Sequence, residues 1–67
     1  MDEVQVDVKY TGGSGYEAYV RGTLVAKRRY VRTIQEDISC VLRVLSALGL
    51  HPVVNLPPNK PELEVQI

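Results

Sequence analysis

The sequence predicts an α+β fold: a small, mainly antiparallel sheet with one helix packed on one face, in the order β-β-(β)-α-β. Three observations carry this. Apolar and polar residues alternate with period two over residues 3–10 and again from residue 16, as half-buried strands do. A glycine-rich stretch joins those two runs. Apolar residues then recur at helical spacing from Ile34 to Leu48, as on the buried face of an amphipathic helix.

The first strand places Val4, Val6, Val8 and Tyr10 on one parity and Gln5, Asp7 and Lys9 on the other. Thr11-Gly12-Gly13-Ser14-Gly15 follows. It is rich in residues that tolerate positive φ and implies an antiparallel hairpin. From residue 16 the inner parity holds Tyr16, Ala18, Val20, Leu24 and Ala26, and the outer parity holds Tyr19, Arg21, Val25, Lys27 and Arg29. Gly22 interrupts this run, either as a bulge in one strand or as a tight turn between two. Strands over 16–21 and 23–30 are the preferred division.

The helix opens on Thr33 and Glu36, read as a capping box in which hydroxyl and carboxylate each satisfy a backbone N–H. Ile34, Ile38, Val41, Leu42, Leu45 and Leu48 form its core stripe, and Gly49 and Pro52 end it. Cys40, Val44 and Ala47 lie around the back, where a solvated helix ordinarily carries Glu, Lys and Gln. They are read as the interface of a homo-oligomer. Past the helix, Val53 and Val54 form a short extended piece and residues 56–61 a Pro-rich connector. Leu63, Val65 and Ile67 then alternate with Glu62, Glu64 and Gln66 as a closing strand.

Sixty-seven residues make one domain, 1–67, near the lower limit at which a core stabilises a chain without staples. With 45% hydrophobic and 24% charged residues, the composition belongs to a globular chain and not to a disordered one. The single cysteine excludes an intrachain disulfide and a cysteine-based zinc cluster, and a lone thiol fits a reducing compartment. No apolar run reaches the roughly 18 residues of a membrane helix. The acidic start, Met1-Asp2-Glu3, is unlike a signal peptide. The expectation is a cytoplasmic protein with no membrane contact, no metal and no cofactor.

Net charge is zero, yet five of the eight basic residues, Arg21, Lys27, Arg28, Arg29 and Arg32, fall within residues 21–32. Arg21, Lys27 and Arg29 share the outer parity with Tyr19, a pairing of cations and ring that suits single-stranded nucleic acid. Arg28 and Arg32 lie near the edge of that face, in reach of phosphates. The same cluster also reads as charge that keeps a sheet edge soluble, or as a docking site for an acidic partner.

Catalytic readings find less support. His51 is the sole histidine, in the helix-exit loop, with no nucleophile, acid or metal ligand spaced to converge on it. The Thr11–Gly15 loop opens into a strand and lacks the Lys-Ser/Thr of a phosphate-binding loop. No catalytic set emerges, so the chain is expected to be no enzyme, leaving a site assembled between subunits as the one catalytic alternative.

Val4-Gln5-Val6-Asp7-Val8, Gly15-Tyr16-Glu17-Ala18-Tyr19-Val20 and Thr33-Ile34-Gln35-Glu36-Asp37-Ile38 together resemble the N-terminal domain of HicB-type antitoxins. They match its first strand, its GGY.AYV-like second strand and its T.EEAL-like helix start. The family's PGC-like turn is replaced here by Gly22-Thr23-Leu24-Val25. The resemblance implies a β-β-β-α-β partial RNase H fold, self-association, and sequestration of a small RNA-cleaving toxin without the family's DNA-binding segment. The expected function is therefore a non-catalytic binding module, antitoxin- or inhibitor-like, that sequesters a protein partner. The alternative is a small nucleic-acid-binding protein using the basic strand face of residues 21–32.

Overall fold

The alternating segments pair into a four-stranded mixed sheet with a helix across one face. The structure, a computed structural model, describes residues 2–58 and Leu63. Strand β1 (Glu3–Tyr10) lies inside the sheet between β2 (Tyr16–Val20) and β4 (His51–Asn55), and β3 (Thr23–Arg28) lies outside β2. The β1/β2 and β2/β3 pairs are antiparallel, whereas β4 returns parallel to β1. A parallel return needs a long crossover, and helix α1 (Val31–Ala47) supplies it.

The alternation in β1 sends Val4, Val6 and Val8 inward, each at 5% exposure or less. Tyr16 and Ala18 continue this surface on β2, and α1 covers it with Ile34, Ile38 and Leu42. Each of the buried Val, Ile and Leu side chains stabilises the fold by about 1.5–3 kcal/mol relative to exposure. Leu63 joins the same cluster at 3% exposure. The closing strand expected over 62–67 otherwise lies outside the described residues.

The Gly22 interruption is a tight turn. Arg21 (φ 51°) and Gly22 (φ 81°) both adopt the left-handed conformation, which matches the twist of paired strands in a two-residue hairpin. A bulge exists as well, but inside β3. Ala26 faces Ala18 while Leu24 faces Tyr19, so Val25 is the extra residue. The bulge resets the parity, and Leu24, expected on the inner face, is 47% exposed beside Tyr19.

The helix starts a turn earlier than its capping pattern implies. Tyr30 is the N-cap, extended at φ −113° and ψ 147°, with no side-chain cap. Thr33 already lies in the first turn, where its hydroxyl donates to the Tyr30 carbonyl (3.0 Å), so the Thr33–Glu36 capping box does not form. The short link from the end of β3 carries the chain into the helix before Thr33 is reached. At the other end Gly49 (φ 83°) reverses the chain. Its N–H donates to the Ser46 carbonyl and the Leu50 N–H to that of Leu45, a Schellman closure. Leu48, expected in the core stripe, is the C-cap and 70% exposed, because the helix has ended before it. His51, expected in a loop, opens β4 and donates its N–H to the Asp2 carbonyl (2.8 Å). Pro52 fits there because, among the described residues, β4 lies at the sheet edge.

Candidate interaction surface

The sheet face turned away from α1 follows from the pairing register. Glu3, Gln5, Asp7 and Lys9 alternate with the buried valines of β1. Across the strands they meet Glu17, Tyr19, His51, Val53 and Asn55, and Glu17 in turn meets Lys27. Three carboxylates, Glu3, Asp7 and Glu17, thus share this face with two ammonium groups, Lys9 and Lys27. Polar groups here satisfy one another. Asn55 Nδ2 donates to Gln5 Oε1 and Asp7 Oδ1, both at 2.8 Å. Tyr19 donates its O–H to Glu17 Oε1 (2.9 Å), and Lys27 approaches Glu17 Oε2 at 3.8 Å. Lys9 Nζ stands 5.1 Å from the Tyr19 ring centroid, within cation–π range. The hydrogen bond to Glu17 raises the Tyr19 pKa above the ordinary phenol value, helped by desolvation and by the Glu17 charge.

The second surface is built where β3 meets α1. Among the described residues β3 pairs on one side alone, with β2, so it presents an edge. Between that edge and the helix runs a groove of about 380 Å³, lined by Val25, Ala26, Lys27, Arg28, Asp37, Cys40 and Val41. Arg28 Nε donates to Asp37 Oδ2 (2.6 Å), tying strand to helix across the groove. That bond and the Asp37 charge hold the Arg28 guanidinium more firmly protonated. Val25, at 43% exposure, lines the groove, and Val44, at 53%, stands in solvent one helical turn beyond Cys40 and Val41, whereas Leu24, at 47%, is exposed beside Tyr19 on the other side of the sheet.

The sequence-predicted residues are distributed accordingly. Tyr19 and Lys27 lie on the open sheet face, Arg21 in the β2–β3 turn, and Arg29 in the bend before α1. Arg32 belongs to the first turn of the helix. Arg28 faces the helix, so the six do not share one face. Cys40, Val44 and Ala47 are all exposed on α1. The structure joins part of each set, since Lys27, Arg28 and Cys40 line one groove. Val25 and the Asp37 tie were missing from the sequence-level site. Asp37 could have been found from its place on the Val44 side of the helix. Among the described residues no three His, Cys, Asp or Glu side chains are grouped to hold a metal, and no helix is long and apolar enough to cross a membrane. Compared with known proteins, the chain matches no described family, no curated protein and no solved structure.

Proposed function

We propose that this chain is a non-catalytic protein-binding module, antitoxin- or inhibitor-like, and that the β3 edge with its α1 groove seats the partner. The observation that carries this reading is the juxtaposition of an edge strand, exposed Val25 and Val44, and a groove of about 380 Å³. Edge strands offer unpaired backbone groups that an incoming segment can complete, while adjacent pockets take its side chains. The resemblance to HicB-type domains points the same way, towards a small toxin as the sequestered protein.

The test is co-expression with the product of the adjacent reading frame. Wild type is expected to co-purify with that product and to relieve any growth arrest it causes. A Val25→Glu/Val44→Glu variant, checked for its fold by circular dichroism, is expected to do neither. Equal rescue by the variant removes the groove as the seat, and no association of the wild type removes the reading.

Nucleic acid binding is the second reading, favoured by Tyr19 and Lys9 on the open sheet face. Glu3, Asp7 and Glu17 on that face oppose a phosphate backbone, and place it behind the first. Salt-dependent binding of single-stranded RNA, lost on Lys9→Glu/Lys27→Glu, would reverse the order.

A further inference from the structure

We infer that the segment seated at this edge is an acidic, extended one. It adds as a further strand along β3, with apolar side chains beside Val25 and Ala26 and carboxylates opposite Lys27 and Arg29. This rests on the protein-binding reading above and names the chemistry of the partner.

Lys27 and Arg28 end the strand and Arg29 follows it, while Arg21 stands in the turn at the other end. No acid lies among residues 21–29. Arg21 and Arg29 are exposed and form no ion pair within 4.0 Å among the described residues. Lys27 reaches Glu17 only at 3.8 Å, with 57% of its own side chain in solvent. Arg28 is already held by Asp37, but Lys27 on the edge strand and Arg29 just past its end repel another basic strand and attract an acidic one, since like charges directly opposite are destabilising and opposite ones stabilising.

A second copy of this chain fits less well. Antiparallel self-pairing about the centre of β3 would set Lys27 against Leu24 and Arg28 against Thr23. It would also bring the Arg29 of each copy towards the Arg21 turn of the other. No carboxylate would meet a cation along that seam. The apolar half of the groove, Val25, Ala26, Cys40 and Val41, suits one face of an extended segment whose alternate side chains point to opposite sides.

The experiment titrates the full, 15N-labelled chain with a capped peptide of alternating Glu and Val. A Lys/Val counterpart, a Glu/Val peptide N-methylated at alternate residues, and an oligouridylate serve as comparisons. The expected result is saturable shifts of the amides in Thr23–Arg28 and in residues 40–44. The affinity should weaken by about fivefold or more between low and moderately high salt, as surface charge pairs are screened. It should fall similarly in Lys27→Glu/Arg29→Glu, whose remaining amides keep their wild-type positions. N-methylation should abolish binding, because it removes the backbone donors of the added strand. Equal binding of the Lys/Val peptide, survival of N-methylated binding, or shifts confined to the Tyr19 face would overturn the inference. So would shifts of the β3 amides produced by the oligouridylate alone, or by raising protein concentration without peptide. Silence from every probe would also overturn it, and the protein-binding reading would still be decided separately by co-purification and growth rescue.

Discussion

At the scale of single residues, Gly15 is the one glycine whose backbone is closely approached by another part of the described chain. Its φ is 91°, and a Cβ built there would collide with the Arg28 carbonyl oxygen and lie 2.5 Å from Arg29 Cα. The start of β2 therefore passes against the end of β3 with no room for a side chain. The loop before it is tied by hydrogen bonds from the Thr11 N–H (2.7 Å) and hydroxyl (2.9 Å) to the Gly15 carbonyl. Gly12 offers an internal control, because its φ is also positive (68°) but nothing lies within 4 Å of its added Cβ. Gly12→Ala should cost about 1–2 kcal/mol, the ordinary penalty of a left-handed Ala. Gly15→Ala should cost about 3 kcal/mol or more, since backbone strain and overpacking against backbone atoms act together. Urea midpoints compare the two directly, and equal midpoints would show that β2 and β3 do not approach so closely. The Gly-rich composition announced a turn here, but which glycine is irreplaceable depends on residues 28–29, distant in sequence.

At the scale of elements, the apolar stripe of α1 was readable because Ile34, Ile38 and Leu42 meet the sheet on a face set by helical periodicity alone. Its start was not, because a capping pattern is a local preference and the entry point is imposed by where β3 stops pairing. Tyr30 sits at the N-cap with extended backbone and contributes no capping bond. Tyr30→Asp should therefore stabilise the chain by about 1 kcal/mol, a carboxylate accepting an N–H of the first turn and facing the positive end of the helix dipole. Thermal or urea unfolding measures this, and destabilisation would mean that Tyr30, 68% exposed, does more than occupy the cap. The parity of Leu24 differs from the sequence pattern for the same kind of reason, while Ala26 and Lys27 keep theirs. A bulge leaves no periodic trace when the residues around it, Leu24-Val25-Ala26, are all apolar. The interaction surface shows both sides of this limit. The basic run and the apolar helix back could each be read from sequence, but their meeting in one groove depends on β3 being the sheet edge and on α1 crossing beside it.

At the scale of the whole molecule, the sheet has two edges among the described residues, β3 and β4, and the fold treats them differently. The β4 edge carries Pro52, which cannot donate to another strand. The β3 edge keeps its backbone groups and adds charge and a bulge, devices that discourage indiscriminate pairing. The exposed groove residues contribute little to the core, so binding and stability should separate under mutation. Leu63 belongs to the opposite category. It lies beyond the last described strand, yet it is 3% exposed and packed in the cluster of Val6, Val8, Ile34 and Ile38. A chain this short has total stability on the order of 5 kcal/mol, and truncating a buried leucine costs about 2–5 kcal/mol. Leu63→Ala should thus lose most or all of its cooperative melting transition. Val44→Ala, at a residue 53% exposed, should shift stability by no more than about 0.5 kcal/mol. Calorimetry of the two variants checks both statements together. A Leu63→Ala protein that melts with wild type would mean that the β1–α1 core closes without Leu63, and that the residue's burial contributes nothing to the folded state.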